Sequence, residues 1–62
     1  MKLRDDLSVI ANWIPKNSKV LDLGCGDGML LEWLSNENNC SGYGVEISPD
    51  KVNLCVKRKL NV

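Results

Sequence analysis

Three glycines at alternate positions, Gly24, Gly26 and Gly28, constrain this chain more than any other feature. They directly follow the short apolar run Lys19–Leu23, which has the β-branched content of a buried strand. Glycine has no Cβ, so it adopts positive φ angles and allows a ligand to approach the backbone closely. A merely tight turn from a strand into a helix needs only one or two glycines. We therefore predict a ligand-binding loop between a strand and a helix.

The rest of the chain predicts alternating helices and strands. Apolar residues recur at helical spacing in three segments, at about 4–13, 28–36 and 49–59. Short apolar or alternating runs predict strands at 19–23 and 42–46, and a third strand beginning at 61–62. The order helix-β-α-β-α predicts an α/β fold with parallel strands, helices on the faces of the sheet and right-handed crossovers.

The length predicts part of a domain. The chain has 62 residues, whereas a common domain has about 100–150. We expect residues 1–62 to be the truncated amino-terminal portion of one domain, with an incomplete sheet. Two parallel strands leave edges and apolar surface uncovered, so the piece should be weakly stable and could associate with itself through its exposed sheet edges. Trp13 and Trp33, beside apolar helical faces, are expected to pack, either in the core or at an edge of the domain.

Charge and cysteine content exclude several classes of function. Eight Lys and Arg balance eight Asp and Glu, which removes the electrostatic footprint of a nucleic-acid or membrane-surface binder. The only local excess, Lys57–Lys59, is interpreted as a solvated helix end without a function. The charged amino terminus does not resemble a signal peptide, and no apolar run is long enough for a membrane. Three cysteines without any His predict reduced thiols, no metal site and a cytoplasmic location.

The glycine spacing distinguishes between ligands. The dinucleotide fingerprint Gly-x-Gly-x-x-Gly requires glycine where this chain has Met29. Asp27, beside the helix start, would repel a pyrophosphate but tolerate a cationic or zwitterionic ligand. No Gly-Lys-Ser or Gly-Lys-Thr follows, so a phosphate-binding P-loop is excluded. A nicotinamide-dependent oxidoreductase is therefore the least favoured interpretation.

Glu46 ends the second predicted strand, about twenty residues beyond the glycine loop. At that position an acidic side chain can accept hydrogen bonds from both hydroxyls of a ribose. A glutamate at a strand end is by itself often only a solvated charge. Together with the loop and the strand order, it predicts a nucleoside site.

These residues carry a resemblance to a known family. The segment Asp22–Gly28 resembles the cofactor motif of class I S-adenosylmethionine-dependent methyltransferases, and Glu46 matches their acidic ribose-binding residue. The resemblance is closest to the MetW family of methionine biosynthesis, through Trp13–Pro15, Val20–Gly28 and Gly42–Ile47. It implies a Rossmann-like methyltransferase fold, S-adenosylmethionine as cofactor and a role in methionine biosynthesis.

The resemblance also implies a set of cofactor-binding residues: Asp22, Gly24, Cys25, Gly26, Gly28, Glu46 and Ile47. Asp22 would fix the loop and reach the amino group of the methionine moiety through water, while the loop backbone approaches its amino-acid part. Glu46 would hold the ribose, and Ile47 would pack against the adenine. Two alternatives stay open: Ile47 as plain core, and Asp22 as a cap of the loop.

Two functions also stay open. The first is methyl transfer, for which the protein mainly supplies proximity and orientation. Its catalytic residues are unknown and would follow later strands, so the 62 residues alone should be inactive. The second, implied by the resemblance to MetW, is that of a non-catalytic partner or activator of a homoserine O-acyltransferase, because a fold does not fix a function.

Overall fold

The computed structural model describes residues 3–62 and has the predicted α/β architecture. Its elements are α1 (Asp5–Asn12), β1 (Lys19–Leu23), α2 (Met29–Asn38), β2 (Ser41–Val45) and α3 (Pro49–Lys57). Helix α2 continues past its predicted end near residue 36 and closes at Asn39, whose φ of 52° is left-handed. Met1 and Lys2, which belong to the predicted portion 1–62 and to the charged amino terminus, lie outside the described residues.

The two strands form a parallel sheet. β1 and β2 pair residue for residue along their whole lengths. On the other side of β2, Asn61 forms a parallel bridge with Tyr43, and its carbonyl accepts the N–H of Gly44 at 2.8 Å. The chain at 61, where a third strand is predicted to begin, therefore lies beside β2, on the side away from β1.

The buried residues lie in two clusters. The first, between α1, α2 and the sheet, contains Leu3, Ala11, Leu30, Leu34 and Cys40. The second, beneath the glycine loop, contains Cys25, Leu31 and Cys55. The second cluster therefore supports the glycine loop from below.

The two tryptophans differ in their surroundings. Trp33 packs against the first cluster, as predicted. Trp13 is 73% exposed, so the alternative that it packs in the core is wrong for the described chain. The reason is geometric, because the buried stripe of α1 runs through Ala11 and a residue two positions later is turned about 200° away from it.

The face of the sheet opposite the helices is apolar and open. Leu21, Leu23, Tyr43 and Val45 alternate along the strands and are 46–73% exposed. A shallow groove of about 320 Å³ runs along this face. Such uncovered apolar surface is what a two-stranded piece of a larger sheet leaves, which agrees with the predicted incomplete sheet.

Gly44 provides a test of the packing beneath the loop. A Cβ at this position would lie 2.5 Å from Sγ of Cys25 and 3.1 Å from Leu31. Because this crowding is steric, Gly44→Ala should lower the free energy of unfolding by about 1–3 kcal/mol in chemical denaturation. The same substitution should cost less in a Cys25→Ala background, where the nearest atom is gone. An equal cost in both backgrounds would show that the sulfur is not the obstacle.

Candidate functional site

The loop after β1 turns at its glycines. The φ angles of Gly24, Gly26 and Gly28 are 73°, 61° and 85°, a left-handed conformation that side chains with a Cβ rarely adopt. A Cβ on Gly24 or Gly26 would meet no atom within 4 Å, so both backbones face open space. A Cβ on Gly28 would collide with Leu60 and contact Cys55. The first two glycines therefore expose the loop backbone, and the third allows close packing on α3.

The loop begins against the end of β2. The N–H groups of Gly24 and Cys25 both donate to the carbonyl of Val45, at 2.7 and 3.1 Å. This carbonyl belongs to the last residue of the neighbouring strand. The loop and the residues that follow β2 are therefore brought side by side at the carboxyl edge of the sheet, where open α/β sheets bind their ligands.

Glu46 joins these two segments directly. Its Oε1 accepts the N–H of Gly26 at 2.8 Å, and its Oε2 accepts the N–H of Ser48 at 2.9 Å. The hydrogen bond from Ser48 and then that from Gly26 lower the pKa of Glu46, and the charge of Lys51 acts in the same direction. A carboxylate has about four lone-pair positions, so the ionised side chain can accept two further donors.

A cleft of about 580 Å³ opens in front of the loop, between α1 and α3. Its loop side is lined by Asp22, Gly24, Cys25 and Gly26. Its other walls come from apolar residues of the helices, with the charged side chains of Arg4 and Lys51. The volume lies in the range of about 300–1,000 Å³ that is typical of small-molecule sites.

The other three predicted site residues, Gly28, Glu46 and Ile47, do not line this cleft. Glu46 bonds to Gly26, which lines it. Ile47 follows Glu46 and is 95% exposed, so the alternative that Ile47 is plain core does not hold for the described chain. Gly28 is buried behind the loop against α3 rather than in the cleft. Four of the seven residues therefore line the cleft, Glu46 bonds to one of these four, Ile47 is exposed after β2, and Gly28 supports the loop.

Asp22 and Cys25 differ in their chemistry. The carboxyl group of Asp22 is half-buried, burial raises its pKa, and no described residue donates a hydrogen bond to it. The alternative that Asp22 caps the loop therefore finds no support in the described contacts. Burial raises the pKa of Cys25 to about 11, helped by its contact with Cys55 at 3.9 Å between the sulfurs. Cys25 is a protonated thiol that offers the cleft its backbone.

Sequence reasoning missed one residue near the loop. Arg58 donates from Nε to the carbonyl of Asp27 at 3.0 Å and from Nη1 to Glu32 at 3.1 Å. Its side chain is only 28% exposed, so the interpretation of Lys57–Lys59 as a solvated helix end is wrong for Arg58. No rule of spacing links it to a loop 31 residues earlier.

The sequence of this chain is similar to that of known proteins. Residues 4–62 match the family model described as methionine biosynthesis protein MetW. The chain belongs to the MetW family. The match confirms the resemblance inferred from the glycine loop and Glu46, and with the fold it places the chain in the class I methyltransferase superfamily.

Part of this MetW-family chain is also similar to a protein described as a probable methyltransferase. A stretch of 39 residues, 63% of the chain, is 41% identical to a protein of Caenorhabditis elegans described as a probable tRNA (uracil-O(2)-)-methyltransferase. The aligned stretch spans only 7% of the length of that protein. The similarity therefore supports a methyltransferase-like domain and carries no substrate over to the MetW-family chain.

Residues 3–62 of the MetW-family chain lack two features, a membrane-spanning helix and a metal cluster. None of the helices there is long and apolar enough to cross a membrane. In the same residues, no group of three or more His, Cys, Asp or Glu side chains is arranged to hold a metal ion.

The Glu46 bonds predict an acid-dependent contribution to stability. A carboxyl group whose pKa is lowered by folding stabilises the fold above its unfolded pKa, and this contribution is lost as the pH falls through the folded pKa. The ordinary pKa of the group is 4.5. Glu46→Gln should therefore unfold at a lower denaturant concentration than the wild type at about pH 7, and the gap should close below about pH 4.5.

The matched control is Glu37→Gln, because Glu37 is an exposed glutamate on α2. It should change stability by no more than about 0.5 kcal/mol. A Glu46→Gln gap that stays constant down to about pH 3 would contradict the assigned hydrogen bonds.

Proposed function

We propose that this MetW-family chain binds S-adenosylmethionine in the cleft in front of its glycine loop. One observation carries the proposal: the carboxylate of Glu46 is bonded to the amide of Gly26 beside a cleft of about 580 Å³. A glycine loop after one parallel strand, with a carboxylate after the next, is how open α/β sheets bind a nucleoside. The family match to MetW is in agreement.

The chemistry of the residues fits each part of this cofactor. The free lone pairs of Glu46 suit the two ribose hydroxyls. Asp22 offers a carboxylate without a described donor to the amino group, and the open backbone at Gly24 and Gly26 admits the amino-acid part. Ile47 offers an exposed apolar side chain to the adenine. When bound, the cofactor supplies an electrophilic methyl group on a sulfonium.

The start of α2 argues against a dinucleotide. A pyrophosphate binds to free N–H groups at a helix start. Here Oδ1 of Asp27 accepts the N–H of Met29 at 3.1 Å, and the N–H of Gly28 donates to the carbonyl of Cys25 at 3.2 Å. A pyrophosphate would therefore meet a carboxylate and amides that are already bonded.

The protein that contains this site has two candidate roles. In the first, the MetW-family protein is a methyltransferase of methionine biosynthesis. In the second, it is a non-catalytic partner of a homoserine O-acyltransferase, which would need an exposed apolar surface. Trp13 directly after α1 and Val9 on α1 are 73% and 54% exposed, and aromatic side chains are enriched in protein interfaces, which favours the second role.

Two substitutions test the cofactor site with two ligands. S-Adenosylhomocysteine and 5′-methylthioadenosine share the ribose and adenine, but only the first has an amino-acid part. Glu46→Gln should weaken both ligands by about 10-fold to 100-fold, because hydrogen bonds to a charged acceptor are stronger than those to a neutral amide. Asp22→Asn should weaken S-adenosylhomocysteine alone. Isothermal titration calorimetry measures the dissociation constants.

The controls for this test are Glu37→Gln and NAD. Glu37→Gln should leave both affinities unchanged, because Glu37 lies away from the cleft on α2. NAD should not raise the thermal unfolding midpoint, whereas S-adenosylhomocysteine at about 100 times its Kd should add about 2.7 kcal/mol of stability. Stabilisation by NAD alone would replace the proposal with the oxidoreductase alternative, and stabilisation by neither ligand would refute the site.

A further inference from the structure

Arg58 makes contacts that the proposed cofactor site does not require. Besides the bonds from Nε to the carbonyl of Asp27 and from Nη1 to Glu32, its Nη2 lies 3.9 Å from Oδ2 of Asp27. The neighbouring Lys57 and Lys59 are exposed, whereas Arg58 is largely covered. One cation of the three is therefore built into the packing between α3, α2 and the loop.

The loop segment that Arg58 contacts is held at both of its sides. Asp27 lies between two glycines, and glycine has more backbone freedom than any other residue. On the Gly26 side, Glu46 accepts the N–H and Sγ of Cys55 donates to the carbonyl at 3.2 Å. On the Asp27 side, Arg58 holds the carbonyl. The contacts of Arg58 and Cys55 therefore complete those of Glu46.

Arg58 and Cys55 act from one face of α3. Residues three apart on a helix lie on the same side of it, so both side chains reach the loop from below. Cys55 is fully buried and bonds to Gly26, and Arg58 bonds to the next residue along the loop. The packing of α3 is thereby coupled to the backbone that lines the cleft.

We infer that Arg58 is a positioning residue: it fixes the backbone of the glycine loop for cofactor binding. This inference rests on the proposed function. The guanidinium group is required because its N–H groups point in fixed, diverging directions. One direction serves the Asp27 carbonyl and another serves Glu32. A lysine ammonium is a single point charge without this fixed fork, so it cannot reproduce the Nε–H bond to the Asp27 carbonyl.

The alternative to positioning is that Arg58 only links the end of α3 to α2 through an ion pair. That link runs through Glu32, which bonds to Arg58 at 3.1 Å but lies on α2 outside the loop. Glu32→Gln therefore removes the charged link and leaves the loop contact, whereas Arg58→Gln removes both. Lys57→Gln, the matched control, removes an exposed cation next to Arg58.

The experiment measures the affinity of the protein variants for S-adenosylhomocysteine and the backbone amide resonances of Gly26 and Gly28. Arg58→Gln should raise the Kd about fivefold to tenfold and shift both resonances in the free protein. Arg58→Lys should leave the Kd at least about threefold above that of the wild type. Glu32→Gln and Lys57→Gln should stay within about twofold, with both resonances unchanged.

Three results would overturn the inference. An equal loss of affinity in Glu32→Gln would show that Arg58 only ties the helices, and wild-type affinity in Arg58→Lys would show that charge alone suffices. If the wild type does not bind S-adenosylhomocysteine, the proposed function fails. The amide resonances of the free protein then test the role of Arg58 separately, and unchanged Gly26 and Gly28 signals in Arg58→Gln would refute that role. Should Arg58→Gln not fold, the same resonances in Arg58→Lys decide between these results.

Discussion

The carboxylate of Glu46, shared between the amides of Gly26 and Ser48, is the interaction on which the rest of this site depends. It joins the loop after β1 to the segment after β2, so two pieces of backbone that are twenty residues apart become one surface. Hydrogen bonds to an ionised acceptor are about twice as strong as neutral ones. The carboxylate thereby organises the loop and remains able to accept the hydroxyls of a sugar.

The glycines serve the fold and the site together. Gly42 and Gly44 let the side chains of Leu31 and Cys25 lie directly on β2, because a Cβ at either position would come within 2.7 Å of them. Gly28 does the same for α3. Gly24 and Gly26, in contrast, have nothing within 4 Å and leave the backbone open toward the cleft. Small residues thus allow close packing on one side of the loop and leave its backbone accessible on the other.

The features that could be predicted from the sequence depend on two regularities. One is the local periodicity of apolar residues, and the other is that the carboxyl ends of parallel strands meet at one edge of the sheet. The order of elements, the left-handed loop and the approach of Glu46 to Gly26 all follow from these two regularities. Sequence reasoning missed the exposure of Trp13 because Trp13 has apolar neighbours in the chain, although helix geometry turns it away from the buried Ala11. The contacts of Arg58 depend on how α3 lies against α2, which no spacing in the chain encodes. The substrate, the partner and the domain boundary stay predictions.

The most direct measurement of the Glu46 link is a pH titration of the amide protons of Gly26 and Ser48 by NMR. Both donate to the same carboxylate, so both signals should move together, with one shared midpoint below the ordinary pKa of 4.5. In Glu46→Gln neither signal should show that transition. Signals that titrate independently, or with a midpoint at or above 4.5, would show that the carboxylate does not join the strand end to the glycine loop.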